Sequence, residues 1–226
     1  MGNLKGGASK TTSSFYLAVF FAKALGLRVL VLDADPLSQT GYSWFRRLKK
    51  AGVDVPFDLE PFPSKHIGDK IEDVSDQYDV IIVDAGGESD EIFKAAVRCT
   101  HELVLMTATS NAELNRLPST YKSAAEAAND VEHDINVRVL LTRVPVVMRA
   151  NEDGAKENIS IEYRRARANL VEAGYAIFDS YVSIGRWYRD SADSPVGSGG
   201  DNPLIDLGEY HDVGTELVQD YMEEAA

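Results

Sequence analysis

Apolar positions fall along the chain in two rhythms. Short runs that are apolar at nearly every position occur at Arg28–Asp35, Asp79–Asp84, Glu102–Thr107, Val137–Thr142 and Tyr175–Phe178. Runs this short, apolar on both faces, predict strands of a parallel sheet covered on both sides. Longer stretches between them carry apolar residues at helical spacing. These are Thr11–Leu25, with Gly26 as its C-cap, then Ser38–Lys50, Ser89–Arg98, Ala112–Asn129, Ile159–Glu172 and Val213–Glu223. Strand followed by helix, repeated through the chain, predicts a doubly wound α/β fold with a mostly parallel sheet and helices on both faces. Val53–Ser64, with three prolines, and Ser191–Asn202, rich in Gly, Ser and Asp, read as loops. The rhythm resumes or closes after each, so residues 1–226 are expected to form a single domain.

Composition narrows this picture. A chain of 226 residues, 44% hydrophobic, can bury one large core and is not disordered overall. No apolar run reaches the roughly 18 residues of a membrane span, and Met1–Lys5 is not a signal peptide. The single cysteine, Cys99, sits among Ala95, Ala96 and Val97 and reads as a small core residue. One cysteine suits a reducing compartment. The net charge of -13 excludes attraction to nucleic acid through the overall field, so any such binding needs a local basic patch.

The strongest chemical signal is Lys5-Gly6-Gly7-Ala8-Ser9-Lys10-Thr11-Thr12. Two glycines let the backbone turn its N–H groups around an anion. Lys10 then places a point charge on the β/γ-phosphates, and Thr11 offers a hydroxyl to Mg²⁺. The helix that follows aims its positive end at the same group. The segment departs from the strict phosphate-loop pattern, with Leu4 and Ser9 where its glycines stand. Alone it also fits a glycine-rich turn with chance lysines. Ser9 in a glycine position predicts some backbone strain.

Two further acidic segments follow. One is Asp33-Ala34-Asp35-Pro36 and the other Tyr78-Asp-Val-Ile-Ile-Val-Asp84, then Ala85-Gly86-Gly87. Each closes an apolar strand. Ligands of open α/β sheets lie beyond the carboxyl ends of strands, so Asp33, Asp35 and Asp84 stand well for Mg²⁺ and water. Asp84 fits the strand-end carboxylate that holds Mg²⁺, directly or through water. An Asp-Pro turn explains Asp35-Pro36 by itself, but not the three segments in this order.

Together these segments resemble the ParA/MinD family of ATPases with a deviant Walker A motif, and within it the ParA-type partition ATPases. The resemblance covers nearly the whole chain, most specifically residues 5–12, 33–36 and 78–87. Ser183-Ile-Gly-Arg-Trp-Tyr188 and Leu207-Gly-Glu-Tyr210 carry it downstream. Leu37 and Gly185 depart from it, replacing the family's Gln and Pro. It implies a P-loop fold, ATP and Mg²⁺ as cofactors, and hydrolysis to ADP and phosphate. Residues 5–12 would cradle the phosphates, Arg143 and Pro145 would border the base, and Thr11, Asp33 and Asp84 would lie at the metal. Asp35 would orient the attacking water. Lys5, by its residue type a solvated surface lysine, would reach the partner's phosphates in an ATP-bound homodimer. The family also places an apolar strand before the phosphate loop. Only Met1–Leu4 precede Lys5, so the first strand is expected to be truncated.

The output implied is DNA partition: nonspecific binding of duplex DNA by the ATP dimer, hydrolysis stimulated by a ParB-like centromere-binding partner, and a cytoplasmic location with nucleoid association. The best candidate patch is Arg164, Arg165 and Arg167 on the Ile159–Glu172 helix, whose arginines also fit ion pairs with Glu162 and Glu172. Arg46-Arg47-Leu48-Lys49-Lys50 is a rival. A MinD-like positioning ATPase is the alternative, but its membrane-binding tail is basic and residues 216–226 are acidic. A hydrolysis-impaired nucleotide-binding scaffold is another. One cysteine and four histidines offer no cluster or metal site for a reductase-associated ATPase.

Overall fold

The computed structural model describes residues 1–2, 9–37, 39–86, 89–150, 156–184 and 206–224. Five parallel strands form the scaffold: β1 (Val29–Asp33), β2 (Asp58–Pro61), β3 (Val80–Asp84), β4 (Glu102–Ala108) and β5 (Asn136–Thr142). They pair as β2-β1-β3 and as β4-β5. Met1 and Gly2 splice the two groups. Gly2 bridges Ala85, just past β3, and Leu105 of β4, both in parallel. The resulting order is β2-β1-β3, then residues 1–2, then β4-β5. Residues 1–2 thus stand between β3 and β4.

Strand composition explains the two-sided cover. In β1, Val29 and Val31 enter one core and Leu30 and Leu32 the other. On the first face lie α1 (Lys10–Val19), α2 (Thr40–Lys50) and α8 (Glu209–Glu224). On the second lie α3 (Ile67–Val74), α4 (Asp90–Val97), α6 (Leu117–Ala128) and α7 (Ile161–Glu172). Helix α1 is buried from Ser13 to Val19, as its apolar run Phe15–Val19 requires. It runs into a π-turn at Phe20–Ala24, and Gly26 reverses the chain at φ +71°. The ring of Phe15 stacks on Trp44 of α2 at 4.0 Å, which locks α1 to α2. Ser89 and Ser160 cap α4 and α7, accepting from the amides of Ile92 and Tyr163.

Several elements differ from the sequence expectation. The Val53–Ser64 loop contains β2, an edge strand whose polar Asp58 and Glu60 and terminal Pro61 hid its pairing with β1. Helix α3 follows it and was not anticipated. The 112–129 helix divides into α5 (Asn111–Leu114) and α6, because Pro118 sits in the first turn of α6 and cannot continue α5. A hairpin of β6 (Val146–Ala150) and β7 (Lys156–Ile159) extends the chain after β5. Tyr175–Phe178 forms no regular strand, yet it runs beside β5. Val139 donates to Ala176 and accepts from Phe178, while Ile177 bridges Val139. Cys99 is half-buried, its thiol 3.2 Å from the Ala95 carbonyl, and burial raises its pKa.

Candidate nucleotide and metal site

All five sheet strands run parallel, so their carboxyl ends share one rim of the sheet. The first turn of α1 opens onto it. Ser9 precedes that helix at φ 60°, in the left-handed region, and its carbonyl accepts from Ser13. A glycine would hold this conformation without strain, and serine holds it at a cost of order 1–3 kcal/mol. The strain expected of Ser9 is present.

Lys10, at the start of α1, is only 9% exposed. Thr11 follows and donates a hydrogen bond to Asp84. Asp84 closes β3 directly beside Asp33, which closes β1; the two are register partners. Both carboxylates are buried. Burial pushes Asp84 up to about 6, Asp33 adds to that, and Thr11 and Lys10 oppose it. Its Oδ1 has no hydrogen-bond partner among the described residues. A buried, unpartnered carboxylate oxygen beside a threonine hydroxyl fits a hard divalent cation, which takes oxygen ligands.

Asp33 also accepts from the backbone. Its Oδ2 accepts from the Tyr42 amide at 2.9 Å and its Oδ1 from the Asp35 amide at 3.3 Å. It thus anchors the N-terminus of α2, where Gln39 stands at φ 39° and no side chain of that residue caps the helix. Burial raises its pKa, and the backbone donors hold it back. Gly41 packs tightly here: a Cβ on it would lie 3.0 Å from Asp33 Oδ2 and 3.3 Å from Thr11 Cγ2. Asp35 is half-buried, and its Oδ1 accepts from the Leu37 amide at 2.9 Å. Gly86 packs against it.

Arg143 and Pro145 follow β5 at the same rim. Arg143 is exposed at φ 53°. Lys5, Gly6, Gly7 and Ala8 lie outside the described residues; Thr12 lies inside α1. The three arginines of α7 are not equivalent. Arg164 and Arg165 are exposed, whereas Arg167 donates to the Phe178 carbonyl at 2.8 Å and to Asp179. α7 lies on the second face of the sheet, and none of the three belongs to the rim cluster.

Two supports escaped the sequence reading. Tyr210 of α8, fully buried, hydrogen-bonds Ser13 of α1 at 2.8 Å and stacks on Tyr16. No local pattern marks a contact across 197 residues. Gly41 and its contact with Asp33 were equally hidden.

The family model of the CobQ/CobB/MinD/ParA nucleotide-binding domain matches residues 1–178. The chain belongs to this family. Solved members of the same fold are distant in sequence. The ATP complex of a McdA variant from Cyanothece superposes with a TM-score of 0.70 at 17% identity, covering 96% of this chain and 94% of that one. Cobyrinic acid a,c-diamide synthase from Mycobacterium smegmatis, with bound ADP and magnesium, gives 0.70 at 13% identity, covering 98% and 93%. A plasmid partition protein from Borrelia burgdorferi gives 0.61 at 14% identity, covering 96% of each chain. At such identities the likeness shows the fold. No curated protein sequence matches the chain significantly. No described helix is long and apolar enough to cross a membrane.

Proposed function

We propose that this chain binds and hydrolyses MgATP, forms a homodimer in the ATP state, and works in plasmid or chromosome partition through nonspecific binding of duplex DNA. The observation that carries the reading is the convergence of Lys10, Thr11 and Asp84, with the unpartnered Asp84 oxygen among them. McdA, the Borrelia partition protein and the cobyrinic acid a,c-diamide synthase all share the fold, so the partition role rests on the resemblance of residues 5–12, 33–36 and 78–87 to the partition ATPases.

Residues 5–12 would wrap the triphosphate, with Lys10 balancing its charge and the N-terminus of α1 facing it. Thr11 and Asp84 would hold Mg²⁺, which when bound neutralises charge on the β- and γ-phosphate oxygens. Asp33 would lie near the metal beside Asp84, and it fixes α2 against this site. Asp35 would orient water for attack, and Lys5 would reach across the dimer to the partner's phosphates. Arg143 and Pro145 would border the base. A ParB-like partner would stimulate hydrolysis, and the ATP dimer would associate with the nucleoid from the cytoplasm.

The deciding experiment measures the mass of the protein by light scattering with MgATP and with MgADP, each with and without duplex DNA. The reading requires dimer with MgATP, monomer with MgADP and DNA bound only by the dimer. A monomer under every condition would overturn it.

A further inference from the structure

The first turn of α8 reaches both halves of the proposed nucleotide site. On one side is α1. The hydroxyls of Tyr210 and Ser13 bond at 2.8 Å, and both residues are fully buried. The Tyr210 ring stacks on Tyr16 at 5.0 Å. One turn on, Gly214 meets Phe20 so closely that a Cβ on it would overlap the ring. Tyr210 lies against the start of α1 and Gly214 against its end, so the two helices run side by side in the same direction. Ser13 stands just under one turn after Lys10.

On the other side is the exit of β5. Glu209 accepts a hydrogen bond from the Ser183 hydroxyl. Ser183 bridges Val144, the residue between Arg143 and Pro145. The Ile184 amide donates to the Val144 carbonyl at 2.9 Å, and the Val144 amide donates to the Val182 carbonyl at 3.0 Å. Further along α8, the Glu216 carboxylate accepts from the amides of Asp179 at 2.7 Å and Ser180 at 2.9 Å. Arg138 of β5 donates to the carbonyls of Glu216 and Leu217, each at 3.3 Å. Apolar packing around these ties is non-directional. A hydrogen bond holds only over a few tenths of an ångström, so each tie selects one position of the helix it joins.

We infer that Glu209 and Tyr210 are positioning residues, which together set α1, with Lys10 and Thr11, at a fixed distance from the 143–145 segment. Tyr210 acts through Ser13 on the phosphate side, and Glu209 acts through Ser183 on the base side. Neither side chain touches the nucleotide. What is positioned rests on the MgATP reading above, whereas the brace between α1, α8 and β5 exists without nucleotide.

The test compares Tyr210→Phe, Ser13→Ala and the pair of them in MgATP turnover, thermal midpoint and nucleotide-free amide exchange. Tyr210→Phe keeps the ring and leaves the Ser13 hydroxyl buried without this partner. It should lower kcat about tenfold with KM changed less than about twofold, and lower the thermal midpoint. Exchange of the Ser13 amide, which donates to the Ser9 carbonyl, should speed at least about tenfold. The double variant should recover the midpoint, because no orphaned hydroxyl remains at residue 13, yet keep the low kcat. Glu209→Ala should raise KM about fivefold and spare kcat, and Glu209→Gln, which still accepts from Ser183, should restore KM. Turnover that recovers with the midpoint in the double variant would reduce the bond to a structural one and overturn the proposal. Wild-type kcat or unchanged Ser13 exchange in Tyr210→Phe would do the same. An unchanged KM in Glu209→Ala would overturn the base-side half. Faster Ser13 exchange in the variant of a chain that shows no turnover at all would refute the MgATP reading and support the brace.

Discussion

Gly86 lies so close to Asp35 that a Cβ on Gly86 would stand 2.7 Å from the Asp35 Cα and 2.7 Å from its Cγ. The loops after β1 and β3 therefore touch at the residue proposed to position water. Because one clash is with backbone, rotation of the Asp35 side chain does not relieve it. Gly86→Ala must displace one loop. Misplacing a water-orienting group by an ångström costs about 100-fold in rate. The variant should lose ATP turnover by roughly that factor while nucleotide affinity, read by calorimetry, stays near wild type. Normal turnover would show that Asp35 is not held where it acts.

Asp35 itself gives the complementary measurement. Asp35→Ala removes the group proposed to orient water but leaves Lys10, Thr11 and Asp84 in place. It should bind ATP, lose hydrolysis and accumulate as the dimer. Lys10→Ala should instead lose ATP binding, because the charge opposite the triphosphate disappears. ATP affinity within about twofold of wild type in the Lys10 variant would refute the phosphate-loop assignment.

The parts of the fold and site legible in sequence were those with a local signature. The full apolar runs at 29–33, 80–84, 102–108 and 136–142 named their own strands, because strands covered on both faces need no polar position. Lys10, Thr11, Asp33 and Asp84, which the structure gathers at one rim, stand out in the sequence because loop and strand-end chemistry is written in neighbouring residues. β2 was illegible because an edge strand tolerates Asp58, Glu60 and Pro61, which read as loop. The anchoring of α2 by Asp33 was illegible because it joins residues 33 and 42 through space. The distinct state of Arg167 depends on Asp179 and the Phe178 carbonyl, from a segment that helical spacing does not reach.

Asp84 makes stability depend on pH in a defined direction. Its folded-state pKa is raised from 3.8 to about 6, so the native state binds its proton more tightly than the unfolded chain. The associated stability is fully present below about pH 4 and is lost as pH rises through 6. A shift of this size corresponds to something on the order of 3 kcal/mol. Asp84→Asn removes the buried charge. Without nucleotide, its thermal midpoint should match wild type near pH 4 and exceed it by several degrees at pH 7. MgATP should stabilise wild type and leave the variant unchanged. A wild type more stable than the variant at pH 7 without Mg²⁺ would contradict the desolvation account.

The location of the proposed DNA contact separates three arginines that sequence spacing groups together. Arg164 and Arg165 are exposed on α7. Arg167 spans from α7 to Phe178 and Asp179, so its charge is already engaged and its removal frees a carbonyl and a carboxylate. Changing Arg164 and Arg165 together to Ala should weaken duplex binding by the MgATP dimer and lower the slope of log affinity against log salt. The loss should be about 0.9 for each phosphate contact, or about 1.8 per protomer if both contact DNA. Arg167→Ala should leave the slope nearly unchanged and lower the thermal midpoint by roughly 2–4 °C, because it breaks contacts between α7 and the 178–179 segment. The rival patch on α2 supplies the control. Arg46, Arg47, Lys49 and Lys50 are exposed on a helix without an acidic residue. If their replacement by Gln abolishes the salt dependence while the Arg164/Arg165 variant keeps it, the duplex lies on α2 and the α7 assignment fails.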